Sequence, residues 1–279
     1  MQNNFLVNSP DLWLSYYPKY KNNANKYDYG HAVIIGGEEL VGAAKMAAIS
    51  ALRVGSGLVT IVVPKSVWSV YAADTMSVMV KKISCLSTFN KFILDQRKNI
   101  LLVGPGAGVT CSTEKMILSA LYQRKSLVID ADGLTIFAKN PDKLFKNITS
   151  DVVLTPHEGE FSRIFPDKLF SSDCKMERAV KAAKISGAII VLKGHNTIIA
   201  DKSGKVVKML GAPAYLATAG TGDVLSGLIT GLMARGMDGF NAACMAVWLQ
   251  TQIALKLGIG MISEDMPKMI PVVMQEFNF

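Results

Sequence analysis

Six short apolar runs, at 32–35, 58–63, 100–103, 127–129, 152–154 and 188–192, set the frame of this chain. Each is rich in Val, Ile and Leu and none alternates with polar residues. Such runs are strands buried on both faces, because a strand with one wet face needs a polar residue at every second position. Amphipathic helical patterns fill the gaps, at 42–54, 112–124, 175–186 and 222–234. Strands that alternate with helices predict an α/β fold with a mainly parallel sheet, helices lying on both faces. One segment departs from that rhythm. Residues 196–200 and 205–210 flank Asp201-Lys202-Ser203-Gly204, an antiparallel hairpin in which Gly204 supplies the positive φ of the turn. Two helices, 222–234 and 240–257, are expected to close the chain. No linker or internal repeat is visible. The expectation is one domain over 29–279, preceded by an arm or added helix over 1–28.

Residues 217–226 read Ala-Thr-Ala-Gly-Thr-Gly-Asp-Val-Leu-Ser. Gly220, Thr221 and Gly222 run into a helix whose stripe is Val224, Leu225, Leu228, Ile229, Leu232 and Met233. The glycines therefore lie at a helix N-terminus, where unpaired N–H groups and the positive end of the dipole favour an anion. Gly and Thr before a helix often make only a turn and a cap, and Asp in a first turn often only compensates the dipole. Yet a carboxylate beside bound phosphate costs Coulomb energy unless it acts. Asp223 is placed to take a proton from a hydroxyl that attacks the phosphate, the logic of small-molecule phosphoryl transfer.

Ligands of open parallel sheets sit beyond the carboxyl ends of the strands. Five strand ends here carry polar chemistry or glycine: Gly36-Gly37, Gly104-Pro105-Gly106-Ala107-Gly108, Asp130-Ala131-Asp132, His157 to Glu160, and Lys193-Gly194-His195-Asn196-Thr197. Each alone is weak. Asp130 and Asp132 suit a helix cap as well as a site, and a lone His157 is more often structural. Together they point to a nucleotide site. No G-x-x-x-x-G-K-[ST] occurs, so the chain is not a P-loop enzyme.

The 30 Lys and Arg residues against 22 Asp and Glu give a formal charge of +8. That balance suits polyanionic ligands, of which nucleotides are the smallest. The lysines between 65 and 146 are scattered, without a basic stripe or interleaved aromatics, so no nucleic-acid partner is expected. Cys85, Cys111, Cys174 and Cys244 lack metal-ligand spacing and read as free thiols of a reducing compartment. The histidines (His31, His157, His195) show no zinc spacing. No signal pattern and no long uncharged apolar run is present, so a soluble, cytoplasmic protein is expected.

With these residues in view the chain resembles the NAD(P)H-hydrate dehydratases, a branch of the ribokinase-like superfamily, from about residue 27 to 270. The matching stretches include Gly30 to Gly37, Gly42-Ala43-Ala44, residues 51–59, Gly104-Pro105-Gly106, Asp130 to Leu134, Leu154-Thr155-Pro156-His157 with Gly159-Glu160, Lys193-Gly194 with Thr197, and Ala217 to Gly227. The resemblance implies a ribokinase-like three-layer sandwich. It also implies repair of hydrated NADH or NADPH: ADP or ATP phosphorylates the ring hydroxyl, and loss of phosphate restores the cofactor. Carried over by position, Asp223 is the base and Gly220, Thr221 and Gly222 hold the transferring phosphate. Lys193, Gly194, His195, Asn196, Thr197 and Gly222 bind the adenine nucleotide. Ala43, Gly106, His157 and Asp223 bind the hydrate. Mg2+ would bridge the nucleotide phosphates. The family also occurs fused to an epimerase; this chain is expected to be the stand-alone form. A homo-oligomer, with a tetramer possible, is expected through residues 39–54 and exposed helices.

Several positions depart from the family pattern. Ala212-Pro213-Ala214-Tyr215-Leu216 stands where the family has Gly-Asn-x-Gly-Met, Ala44 and Glu158 each replace a proline, and Asp132-Gly133-Leu134-Thr135 replaces Asp-Ala-Leu-Asn. These changes leave two alternatives beside the dehydratase: a kinase of another small alcohol, such as a vitamin precursor or sugar, and a non-catalytic nucleotide-binding homologue.

Overall fold

A computed structural model describes residues 5–20, 22–73, 76–165 and 174–276. Its strands are β1 (Leu6–Val7), β2 (His31–Ile35), β3 (Leu58–Pro64), β4 (Met79–Ile83), β5 (Lys98–Val103), β6 (Ser126–Ile129), β7 (Val152–Leu154), β8 (Ile189–Leu192), β9 (Ile198–Ala200) and β10 (Val206–Lys208). Its helices are α1 (Val41–Arg53), α2 (Trp68–Ala72), α3 (Leu86–Ile93), α4 (Cys111–Tyr122), α5 (Asp132–Thr135), α6 (Asp142–Phe145), α7 (Glu158–Ile164), α8 (Lys175–Ser186), α9 (Thr221–Ala234), α10 (Gly239–Leu257) and α11 (Met266–Glu276).

These strands form one sheet in the order β1-β10-β9-β8-β7-β6-β5-β2-β3-β4. The pairs from β8 through to β4 are parallel, and β9 alone runs against its neighbours. Side chains along each central strand go alternately to two cores. Ala32 and Ile34 of β2 join a core with α1, α9, α10 and α11. Val33 and Ile35 join a core with α3, α4, α7 and α8. Both faces are covered, which is why the strand sequences are apolar throughout. The result is the expected three-layer α/β arrangement.

Helix α9 is buried along nearly its whole length. Gly227 and Gly231, one turn apart, let it lie directly on α1: a Cβ at either would strike the backbone of Ala47 or Ala51. That contact fixes the start of α9 relative to the ends of the central strands.

The hairpin forms as β9 and β10, with Ile199 opposite Val207. Asp201 Oδ1 accepts from the N–H groups of Ser203 (2.9 Å) and Lys205 (3.0 Å), and Gly204 has φ +98°. The hairpin does not end the sheet. Residues 6 and 7 of the N-terminal arm add β1 beside β10. The arm is anchored further by Asn8, whose Nδ2 donates to the Cys244 carbonyl at 2.8 Å and whose Oδ1 accepts from Trp13 Nε1 at 3.1 Å. Trp13 is fully buried against Trp248, ring centroids 5.5 Å apart. A third closing helix, α11, corrects the expectation of two. Pro267 and Pro271 break up its sequence pattern, yet Ile270 and Val273 still bury its apolar side.

Candidate active site

Helix α9 begins at Thr221 with Gly220 as its N-cap, in the left-handed region at φ +86°. No side chain caps it. The first-turn N–H groups are thus left to a ligand or solvent. A Cβ on Gly220 would collide with Ser263, so the αL backbone and the close neighbour both require glycine here. Thr221 does not point its hydroxyl at a ligand. Its Oγ1 donates to the carbonyls of Leu216 (3.0 Å) and Thr218 (2.9 Å), tying the unusual 212–216 segment to the helix start. Gln250 Nε2 donates to the Thr221 carbonyl at 2.7 Å from α10.

Across from this turn lies Lys193, just past β8. Its Nζ donates to Asp130 Oδ1 at 2.7 Å and is 3.9 Å from Glu160 Oε2. A Cβ on Gly222 would be 3.6 Å from the same Nζ and 4.0 Å from Asp130 Oδ2. The ends of β6 and β8 and the start of α9 therefore meet at one point. Asp130 is 2% exposed. Burial drives Asp223 up from the ordinary carboxylate value of 3.8 to about 6; Asp130 and Asp132 push the same way and Lys193 opposes them. For Lys193, burial favours the neutral amine, but Asp130, Glu160 and Asp223 outweigh it and hold the ammonium above its usual value. A carboxylate that titrates near neutrality beside a cation at an uncapped helix start has the makings of a general base.

Asp130 and Asp132 are not helix caps. Asp130 pairs with Lys193, Asp132 Oδ2 accepts from Gly108 N–H at 2.9 Å, and α5 has no side-chain cap. Between them Ala131 takes φ +44°, a strained setting for a residue with a Cβ. The strain turns the two carboxylates to different neighbours.

His157 is the N-cap of α7. Its Nδ1 accepts from Gly159 N–H (3.0 Å) and Glu160 N–H (3.2 Å), and Glu160 Oε2 accepts from His157 N–H (2.8 Å). The network assigns the ring proton to Nε2, which stays half-exposed and 3.5 Å from Glu160 Oε1. In the 193–197 turn, Thr197 Oγ1 donates to the Gly194 carbonyl at 3.1 Å, while His195 is exposed. Lys175 Nζ donates to the Lys193 carbonyl at 3.0 Å, and Lys175 and Arg178 both pair with Glu158. Glu158 thus braces the turn from α7, a network that its proline counterpart could not make.

A cleft of about 720 Å³ opens on the other side, past the ends of β2, β3, β4 and β5. Gly37, Leu40, Ile83, Cys85, Gly106 and Asp132 are among its walls. Gly106, at φ +62°, packs on the backbone of Leu40, whose carbonyl accepts from Ala43 N–H at 3.2 Å. Leu40 and Gly106 accordingly share one wall, apart from the Lys193 turn, and Ala43 lies behind Leu40 rather than on the cleft lining.

Glu160 lies in a strand-end stretch marked by the sequence, but the sequence assigns it no role of its own. The signal for it was present, since His157-x-x-Glu160 before an apolar run is a capping-box spacing.

Fold and geometry define the class first: a ribokinase-like α/β protein with an anion-receptive helix start and an adjacent carboxylate of raised pKa. A ribokinase-like superfamily protein of Enterococcus faecalis superposes with a TM-score of 0.82 at 24% identity, over 99% of this chain and 98% of that one. An ADP/ATP-dependent NAD(P)H-hydrate dehydratase of Bacillus subtilis, co-crystallised with ATP/Mg2+, gives 0.84 at 24% identity over 99% of both chains. The profile of the NAD(P)H-hydrate dehydratase family matches residues 32–270, and the chain belongs to that family. An ADP-dependent (S)-NAD(P)H-hydrate dehydratase of Listeria monocytogenes is 32% identical over 255 residues, 88% of this chain and 86% of the relative. A bifunctional NAD(P)H-hydrate repair enzyme of Thermosynechococcus vestitus is 33% identical over 240 residues, 83% of this chain but 46% of the relative. The chain spans about half the length of such bifunctional relatives.

Proposed function

We propose that the protein uses ADP or ATP to dehydrate the hydrates of NADH and NADPH (NADHX and NADPHX), returning the intact cofactors. The observation that carries this reading is Asp223, raised to about 6 at an uncapped helix start and facing Lys193. Asp223 takes the proton of the ring hydroxyl as its oxygen attacks the terminal phosphorus of the nucleotide. The bond from that phosphorus to the leaving nucleotide oxygen breaks, giving AMP from ADP or ADP from ATP. The backbone N–H groups at Gly220, Thr221 and Gly222 hold the charge that builds on the transferring phosphoryl group. Phosphate then departs with the electrons of the ring C–O bond, and loss of the neighbouring ring proton restores the double bond.

The turn of Lys193, Gly194, His195, Asn196 and Thr197, with Gly222, binds the adenine nucleotide. Ala43, Gly106 and His157 bind the hydrate, which approaches from the cleft side. Among the described residues no three His, Cys, Asp or Glu side chains gather to hold a metal ion. Mg2+ would come with the nucleotide phosphates and supply charge neutralisation there, and Asp130, whose Oδ2 lies 4.0 Å from a Cβ built on Gly222, is the carboxylate that would face it. Residues 29–279 act as one catalytic unit, and the described part of the preceding arm packs on it through β1, Asn8 and Trp13. Self-association belongs to the same proposal, through the outer side of residues 39–54. So does a cytoplasmic location, which the free cysteines suit.

The test is to incubate purified protein with NADH hydrate, Mg2+ and either ADP or ATP, following the absorbance of reduced nicotinamide. A nucleotide-dependent rise is expected, reduced about 10²–10⁴-fold in Asp223→Asn. A stable phosphorylated product without that rise would instead make the protein a kinase of another alcohol.

A further inference from the structure

The cleft past β2–β5 lies on one side of Asp223 and the Lys193 turn on the other. The sheet order puts β5, β2, β3 and β4 to one side of β6, and β7 and β8 to the other. Asp132 belongs to both regions: it lines the cleft, and its charge acts on Asp223. Two ligands would thus converge on Asp223 from opposite sides, and the cleft belongs to the one that carries the hydroxyl.

At about 720 Å³ the cleft is of the size that holds a compact heterocyclic ligand. Ile35, Val62, Val63, Ile83 and Met116 give it apolar walls suited to a base. Its charged lining among the described residues is Glu38, Glu39 and Asp132, with no lysine or arginine. Both glutamates follow β2 after Gly36-Gly37 and are exposed. Glu38 Oε1 accepts from Ser66 Oγ at 2.5 Å, which leaves its second oxygen open. Glu39 makes no hydrogen bond or ion pair among the described residues. A carboxylate past a strand end accepts hydrogen bonds from a ribose diol, whereas a 2′-phosphate at that place needs a cation. The phosphate brings about −1.5 to −2 further charge near neutral pH, which the glutamates repel.

We infer that this cleft seats the adenosine half of the hydrated dinucleotide, and that Glu38 and Glu39 select NADHX over its 2′-phosphorylated counterpart NADPHX. The inference rests on the dehydratase reading and adds the substrate form to it.

Steady-state kinetics on the two hydrates, with saturating nucleotide and Mg2+, test the selection. The expected kcat/KM ratio favours NADHX by about tenfold or more, carried by KM, on the scale of one lost hydrogen bond plus charge repulsion. In Glu38→Gln/Glu39→Gln the ratio falls toward one; Glu39→Lys moves it further toward NADPHX. Equal use of both hydrates, a preference for NADPHX, or an unchanged ratio in the double variant overturns the inference and leaves the dehydratase reading intact. Calorimetric titration of NAD+ and NADP+ in the absence of turnover gives an independent reading, with NAD+ expected to bind tighter and the difference to shrink in the double variant. Turnover of neither hydrate, with that binding difference retained, removes the dehydratase reading but keeps the cleft assignment. Failure of both dinucleotides to bind overturns the cleft assignment itself.

Discussion

At the amino end of the sheet, Lys125 Nζ donates to the carbonyls of Asp95 (3.2 Å) and Lys98 (3.0 Å), and Lys98 Nζ donates to the Asp95 carboxylate at 2.7 Å. Hydrogen bonds from Arg97, then from Lys98, hold Asp95 well below the usual carboxylate range. His31 Nε2 shares a 2.7 Å hydrogen bond with Thr60 Oγ1. Cation and acceptor are matched there. At the carboxyl end the balance is different: Asp130, Glu160 and Asp223 all act on one ammonium, that of Lys193, and Asp132 adds its charge to theirs. A charge cluster that serves only the fold is closed by its own partners. One that serves a ligand leaves acid in excess, and burial, reinforced by that excess, shifts Asp223 to where it can exchange a proton.

The largest expected effect comes from removing Lys193, the cation on which Asp130, Glu160 and Asp223 all act. Lys193→Met leaves Asp130 buried and unpaired, and breaking such a pair costs about 3 kcal/mol. Urea unfolding at pH 7 measures it. In the same variant the loss of the nearby positive charge raises Asp223 further, so the acid limb of the pH–rate profile shifts upward. A loss under about 1 kcal/mol with an unmoved profile would mean that Lys193 does not balance the cluster, and the contrast between the two ends would fail.

How much of this was legible beforehand follows from the same physics. Central strands bury both faces, so their apolar runs mark them wherever they occur, and β2, β3, β5, β6, β7 and β8 all lie where the runs are. The edge strand β4, Met79–Ile83, carries Lys81 and Lys82 and is largely exposed, so it has no such run. Charges on an edge discourage further pairing, which is the reason the signal is missing. Short helices such as α5 and α6 have too few residues for a period to emerge. In the site, Asp223 and the Gly-Thr-Gly turn could be read locally because a helix start is a local feature. The Lys193–Asp130 pair joins residues 63 apart in the chain. No spacing rule reaches that far; only the parallel crossover brings the ends of β6 and β8 together. Glu158 shows the opposite limit. It was visible as a departure from the family pattern, but its purpose needed the partners on α8.

The next effect sets the two ends against each other in pH. Burial favours the neutral form of both Asp223 and His31, which moves their pKa values in opposite directions. Asp223 is raised from 3.8 to about 6, so the stability linked to its proton is full at acid pH and falls as pH rises through that interval. His31 is lowered from 6.5 to about 4, by burial first and then by Lys98. Its contribution is full above 6.5 and is lost as pH falls toward 4. Each term is about 1–3 kcal/mol at 1.36 kcal/mol per pK unit. Asp223→Asn is expected to steepen the acid loss of stability and to raise stability above pH 6; His31→Gln is expected to flatten it. Unfolding free energies at intervals from pH 4 to 7.5 make the comparison. Curves for the two variants that run parallel to the wild type would show that the ends do not oppose each other.

The smallest effect is expected at the closed end. Asp95 is open to solvent on one side, and its partner Arg97 is 60% exposed. Surface pairs of this kind contribute little and are screened by salt. Asp95→Asn keeps the backbone carbonyl that accepts from Lys125 and leaves an amide oxygen where Lys98 Nζ donates, so both buried lysines retain an acceptor. Tm should fall by about 1–2 °C at low ionic strength and by less in 1 M salt. Acid would act in the same direction: with its carboxyl held low in the folded state, Asp95 stabilises above the unfolded carboxylate range, and that contribution is lost only as pH drops below it. A much larger fall, or one that salt does not reduce, would place the carboxylate among the buried supports of β5 and make the amino end as dependent on a single charge as the carboxyl end is on Lys193.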